Sequence, residues 1–266
     1  QEGATTTFEA LELGAFDFVA KPGGTVSSNM ENVADELIAK VKAAALMTTT
    51  RRRKTPDRTT RTKSQPAAVS SRSSSKVMKV VAMGISTGGP KVIYEVLPLI
   101  PRDINAAIFM VQHMPPNFTA TYAKRLNDAC QLEVVEAVAG MKVQPGFVYI
   151  GSGGRHLNLV KNGSGDVLLR LPTKPDHLFV PSVDVMMRSV LTIYGNRTIG
   201  VIMTGMGDDG AAARAEIRRA GGTTIAESEE SAIVFGMPGE TIKRGGATRI
   251  VPIWNIAGEI IKAVNS

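Results

Sequence analysis

From residue 77 to the end of the chain, short apolar runs alternate with stretches whose apolar residues recur every three or four positions. The runs at 77–85, 106–112, 134–138, 198–203, 223–226 and 248–253 read as strands. The periodic stretches near 90–100, through Tyr122 and Leu126, after 181–184, over 211–220, around 230–244 and at the C-terminus read as helices. Repeated strand–helix units imply an α/β fold, a doubly wound and mostly parallel sheet with helices on both faces. Val148-Tyr149-Ile150, then 157–160 and 167–170 across Asn162-Gly163-Ser164-Gly165, read as a β-hairpin insertion. No internal repeat is visible.

The first 46 residues carry a shorter pattern. Thr6 and Glu9 have capping-box spacing and open a helix that stops at Gly14. Residues 16–20 read as a strand ending at Lys21-Pro22. Ser28 and Glu31 open a second helix, with Val33, Leu37, Ile38 and Val41 on its apolar face. These elements are too few to bury a core alone.

Between them and residue 77 the apolar periodicity vanishes. Residues 48–76 hold nine basic residues against Asp57 alone, a net +8 within a chain of +7, so the remainder sits at −1. Basicity belongs to this segment and does not describe the folded parts. It reads as a solvated tether rather than a nucleic-acid arm, because it has no aromatic residue for base stacking and no recognisable DNA-binding motif.

A hydrophobic content of 43% over 266 residues supports a real core. The single cysteine, Cys130, excludes a disulfide framework and a Cys-based metal site. No apolar run reaches the roughly 18 residues of a membrane span, and no signal peptide is visible, so a cytoplasmic protein is expected. The chain begins at Gln1 rather than Met, so its natural start is expected upstream.

Chemistry concentrates at strand ends, where ligands of such sheets bind. After the first long strand comes Gly84-Ile85-Ser86-Thr87-Gly88-Gly89. It fits a G-x-S-x-G turn, and three readings stay open: a helix-capping Ser, a phosphate cradle, or a nucleophile. His113 ends the second strand, and Asp208-Asp209 follow the strand at 198–203. Serine, histidine and carboxylate are the parts of an acyl-transfer triad. By position alone His113 is equally a backbone-bonded strand-end residue, and either Asp is equally a helix cap. His156 and His177 lie in the hairpin region and a loop, without evident partners. The order Ser, His, Asp differs from that of α/β-hydrolases.

Two resemblances sharpen this. Residues 9–22, ending Gly14-Ala15-Phe16-Asp17-Phe18-Val19-Ala20-Lys21-Pro22, resemble the end of a response-regulator receiver domain. That resemblance implies that Lys21 contacts a phosphorylated aspartate which this sequence lacks, and that the protein with a whole receiver partners a histidine kinase. Gly84 to Gly89, Gln112-His113-Met114-Pro115-Pro116, Pro181-Ser182-Val183-Asp184, Thr204-Gly205-Met206-Gly207-Asp208-Asp209-Gly210 and Val234-Phe235-Gly236-Met237-Pro238 occur in order. Together they resemble the CheB family, the chemotaxis-type protein-glutamate methylesterases. The resemblance implies three parts: residues 1–46, the remnant of a truncated receiver; 47–76, a basic linker; 77–266, the catalytic domain. It implies demethylation of glutamate methyl esters on chemoreceptors, with deamidation of receptor glutamines as a related activity. Ser86 is then the nucleophile, His113 the base and Asp209 the residue that orients it, with Asp208 a neighbour or cap. The backbone N–H groups at Thr87 and Met206 are the expected oxyanion donors. No metal or organic cofactor is implied, nor any specific nucleic acid.

Two departures stand out. Where the family often has a basic or histidine pair facing substrate, this chain has Phe179-Val180. Either recognition differs or His177 stands in. The truncated receiver leaves no phosphoacceptor, so residues 1–46 are expected not to hold the catalytic face. Removal of 1–76 is then expected to change kcat/KM only a few-fold. The rival reading is a nucleotide- or phosphate-binding module built on Gly84 to Gly89, although the P-loop Lys and the full G-x-G-x-x-G spacing are absent.

Overall fold

The structure, a computed structural model, describes residues 2–20, 31–46 and 78–266. Lys21, Pro22, Ser28 and the basic stretch 47–76 lie outside the described residues, so the expectations placed on them stay as they stand.

Seven strands form one sheet in the order β3-β4-β2-β1-β7-β8-β9, every pairing parallel. These are β1 (Lys79–Ile85), β2 (Ala106–Gln112), β3 (Glu133–Glu136), β4 (Phe147–Ile150), β7 (Thr198–Ile202), β8 (Thr223–Glu227) and β9 (Arg249–Val251). The hairpin β5 (Asn158–Lys161) and β6 (Val167–Arg170) is a separate antiparallel pair. The expected hairpin therefore keeps its last two segments, while Val148-Tyr149-Ile150 belongs to the main sheet between β3 and β2.

The central strands read as unbroken apolar runs because helices cover both their faces. Val81, Met83 and Ile85 of β1 pack with Ile108, Met110, Val201 and, from α8 (Ile253–Asn265), Ile256 and Ile260. Val80 and Ala82 face the other way, toward Phe109, Ile202 and Met186, Met187 and Val190 of α5 (Val183–Tyr194). Burial of one such side chain removes about 2 kcal/mol of hydration cost, so the alternation of faces fixes the strand register. On the α5 face, a Cβ at Gly84 would sit 2.3 Å from Val183 Cγ1. Glycine there lets the start of α5 press directly on β1.

The stretch after Ser86 is not one helix. It is a single turn, α3 (Gly89–Val92), followed by two 3-10 turns at Ile93–Glu95 and Leu97–Leu99. Pro98 inside the second turn has no N–H to extend an α-helical ladder. The remaining helices are α4 (Thr119–Ala129), α6 (Ala211–Arg219) and α7 (Met237–Lys243).

The N-terminal residues depart most from expectation. Helix α1 (Glu2–Glu12) starts before Thr6, so the capping box at Thr6 and Glu9 lies inside it; Gly14, with φ of 116°, does end it. Residues 15–20 form no helix and pair with no strand among the described residues. Side-chain contacts hold them instead: Phe18 stacks on Phe118 with ring centroids 4.9 Å apart. In α2 (Glu31–Leu46), the face of Leu37, Ile38 and Val41 is exposed rather than buried. Nor does the segment stand apart from the rest. Ala4, Phe8 and Leu11 are buried in the core cluster of β1 and β2, Phe8 stacks on Tyr122 at 5.7 Å, and Glu12 accepts a 2.7 Å bond from Arg125. Helix α1 therefore shares the core around β1 and β2, a core that residues 1–46 cannot build alone.

Because α1 is held by apolar burial, Phe8→Ala is expected to cost about 3 kcal/mol of its attachment. Amide hydrogen exchange should then speed up across α1 while β1 and β7 keep their protection. Unchanged protection of α1 would show that the anchor lies elsewhere.

Candidate active site

Ser86, His113 and Asp209 follow the C-terminal ends of β1, β2 and β7, which are neighbours in the sheet. The strand ladders run on into these loops: Ser86 N–H donates to Thr204 O at 3.0 Å, and His113 N–H to Ile85 O at 3.1 Å. The Gln112 side chain donates to both Ser86 O and His113 O, at 3.0 and 3.1 Å, and so ties two of the loops together. On the third, a Cβ at Gly205 would lie 2.9 Å from Ser86 Cβ and 2.2 Å from Met237 Sδ. Only a residue without a side chain lets the β7 loop come this close to the serine.

The three side chains meet. His113 Nδ1 is 3.1 Å from Ser86 Oγ, and His113 Nε2 is 2.8 Å from Asp209 Oδ2. With Nε2–H donating to the carboxylate, Nδ1 is left as the acceptor of the serine proton. The ring is used in the opposite sense from the chymotrypsin-type triad, where Nε2 faces the serine. The cap readings fail at both ends. α3 begins after Gly88 with no side-chain cap, and α6 begins after Gly210 with none. Asp208 turns outward to an ion pair with Arg244.

Asp209 is 2% exposed at its side chain and accepts from four donors. Oδ2 takes His113 Nε2 and, at 2.7 Å, Val183 N–H; Oδ1 takes Ser182 Oγ at 2.8 Å and Asp184 N–H at 3.0 Å. Burial pushes this carboxyl up; the hydrogen bond and charge of His113 and the N–H groups at the start of α5 more than offset it, to about 2. An anion with these bonds can hold an imidazole in one tautomer and steady the imidazolium that forms when a serine is deprotonated.

Other side chains converge here whose partners the sequence did not give. Phe179 lies flat on His113, with ring centroids 4.1 Å apart and planes 9° from parallel. His156 is fully buried and does have partners: Nε2 donates to Pro175 O at 2.9 Å, and Nδ1 accepts Ser182 N–H at 3.2 Å. His177 Nδ1 accepts Phe179 N–H, and its Nε2 lies 3.9 Å from Asp209 Oδ1. The departure at Phe179-Val180 was the one signal in the sequence that this loop differs. Buried Glu227 accepts Thr204 N–H and Ser231 Oγ, both at 2.8 Å, and braces the β7 loop from below.

In the loop 86–89, the N–H of Ser86 goes to Thr204 O, that of Gly89 to Ser86 O, and that of Gly88 to Asp17 Oδ2 at 3.2 Å. Thr87 N–H is left without a partner among the described residues, and so is Met206 N–H. No cluster of His, Cys, Asp and Glu able to hold a metal ion occurs among the described residues. Among those residues no helix is long and apolar enough to cross a membrane.

A family model described as CheB methylesterase matches residues 81–260. A protein-glutamate methylesterase/protein-glutamine glutaminase of Syntrophomonas wolfei is 67% identical over 270 residues, covering 100% of this chain and 76% of that protein. A protein of the same description from Caldanaerobacter subterraneus is 47% identical, covering 99% of this chain and 74% of its own length. The crystal structure of the Thermotoga maritima CheB methylesterase catalytic domain superposes with a TM-score of 0.68 at 40% identity, covering 70% of this chain and 99% of that one.

The charge state of Asp209 gives a stability test. Its folded-state value of about 2 lies below the ordinary 3.8, so the stabilisation is complete above pH 3.8. It is lost as pH falls from there through about 2, and amounts to about 2 kcal/mol. Denaturant unfolding from pH 5 to pH 2 should show the original chain losing that much more stability than Asp209→Asn. Parallel curves for the two would contradict it.

Proposed function

The chain belongs to the CheB methylesterase family, and from that membership we propose that Ser86, His113 and Asp209 carry its catalysis. Its activity is that of a protein-glutamate methylesterase/protein-glutamine glutaminase, a hydrolase of chemotaxis adaptation whose substrates are glutamate methyl esters of chemoreceptors. The observation that carries the residue assignment is the line from Ser86 Oγ through both ring nitrogens of His113 to Asp209, at 3.1 and 2.8 Å.

Ser86 Oγ attacks the ester carbonyl while His113 Nδ1 takes its proton. The tetrahedral oxyanion is met by the N–H groups of Thr87 and Met206. Collapse breaks the bond to the methoxy oxygen, which leaves as methanol with the proton from His113. Water then attacks the acyl-serine, with His113 again the base, and frees a glutamate. Glutamine follows the same route with ammonia as leaving group. Asp209 holds the ring throughout and keeps its negative charge. Phe179 covers one face of the ring and shields it from water.

Residues 77–266 are assigned to the catalytic domain, 47–76 to a basic linker and 1–46 to the end of a receiver through which a longer form would answer a histidine kinase. The cytoplasm is the compartment this reading assigns. A nucleotide-binding role for Gly84 to Gly89 loses its support: α3 is one turn long, and Gly88 N–H is already bonded to Asp17.

Methanol release from methylated receptor tests the assignment. Ser86→Ala should abolish it. Asp209→Asn should lower turnover by a factor on the order of 10³–10⁴, whereas Asp208→Asn should cost far less. Equal losses at the two aspartates would remove Asp209 from its role.

A further inference from the structure

Asp209 does not owe its place to the β7 loop alone. Ser182, the N-cap of α5, is fully buried and uses every hydrogen-bonding atom of its side chain and its N–H. Its Oγ donates to Asp209 Oδ1 at 2.8 Å, accepts Val185 N–H at 3.3 Å and lies 3.5 Å from His177 Nε2. Its own N–H is held by His156 Nδ1 at 3.2 Å. His156 is fixed in turn by the bond from its Nε2 to Pro175 O. An unbroken file of bonds therefore runs from a buried imidazole through Ser182 and Asp209 to His113 and Ser86.

We propose that Ser182 is a positioning residue for catalysis, and that His156 sets it in place. The inference rests on the triad reading above. Ser182 touches no substrate. It acts by fixing which way the Asp209 carboxylate faces and how much of its charge His113 feels. A carboxylate that takes a hydroxyl on Oδ1 presents Oδ2 to the ring in one orientation. Without that donor the carboxylate can rotate, and the N–H groups of Val183 and Asp184 hold it less well. The same donor also draws off part of the negative charge. Its loss leaves a stronger acceptor for the imidazolium, so His113 should hold its proton to higher pH. The charged and titratable groups facing Asp209 are His113 itself, His177 at 3.9 Å, and Asp184 and Arg188 of α5. A change at Ser182 keeps all of these groups and removes, besides the bonds to Asp209 and from Val185 N–H, only the 3.5 Å contact of its Oγ with His177 Nε2.

The test measures kcat, KM and the pH dependence of methanol release for the whole chain with Ser182→Ala, Ser182→Thr and Ser182→Cys. Ser182→Ala is expected to lower kcat roughly tenfold with KM nearly unchanged, and to move the ascending limb of the pH profile upward. Ser182→Thr, which keeps the hydroxyl, should restore both. Ser182→Cys has similar volume and a weak donor; it should fall between, and it takes the place of the alanine variant should loss of the cap unfold that protein. Wild-type kcat and an unmoved pH limb in a folded Ser182→Ala or Ser182→Cys protein would overturn the inference. So would a fall in kcat with the limb in place, which is what loss of packing alone gives. Ser86→Ala in the same assay separates the two levels. If it stays active, the triad reading has failed; if it is dead while the Ser182 variants behave as wild type, only this inference has.

Discussion

One buried carboxylate holds the loop after β2 and the start of α5 to a common geometry. Asp209 is almost wholly removed from water, and an ion so placed costs several kcal/mol unless donors surround it. Its four donors come from two places, the end of β2 and the start of α5. Each must lie within a few tenths of an ångström of its position, or a charge is left unpaired. That requirement reaches into the sheet. The start of α5 reaches Asp209 only because Gly84 has no side chain to keep Val183 off β1. His113 reaches it only because β2 and β7 flank β1 on either side. A change that loosens α5 therefore acts on chemistry as well as stability.

The central strands could be read from the sequence because their burial is two-sided. β1, β2 and β7 are continuous apolar runs that end in glycine or polar residues, and the ends are where Ser86, His113 and Asp209 stand. The helix after Ser86 was less legible, since its apolar spacing is helical but Pro98 breaks the ladder. The choice between Asp208 and Asp209 came from family resemblance. No spacing rule separates adjacent residues that a turn sends one outward to Arg244 and the other inward to His113.

What stayed hidden was long-range hydrogen bonding. Ser182 binds a carboxylate 27 positions on, and His156 binds the N–H of Ser182 26 positions on. Gln112 binds a carbonyl 26 positions back. Side chains of this kind leave no periodicity behind, because each faces one partner rather than a layer. Phe179 is the opposite case. Its departure from the family was visible, but its stacking on His113 was not, since nothing in a sequence gives the distance between two loops.

The N-terminal segment misled for a related reason. The face assigned to α2 has Leu37, Ile38 and Val41 exposed, and the large buried side chains, Phe8 and Leu11, lie on α1. Two kinds of contact fasten it, and their magnitudes differ. Burying Phe8 and Leu11 contributes about 2 kcal/mol each. A hydrogen bond such as that from Gly88 N–H to Asp17 contributes nearer 1 kcal/mol net. Lys40, 3.3 Å from Asp17, adds an ion pair that is itself partly buried. Apolar burial on α1 is therefore the anchor, and the polar contact decides where residues 17 and 18 come to rest. It also settles the donors of the serine loop. With Gly88 N–H given to Asp17, and those of Ser86 and Gly89 used within the fold, Thr87 holds the loop's remaining N–H among the described residues. Within the loop the Thr87 N–H is thus the one left open, and a contact 71 residues away in sequence takes part in leaving it so.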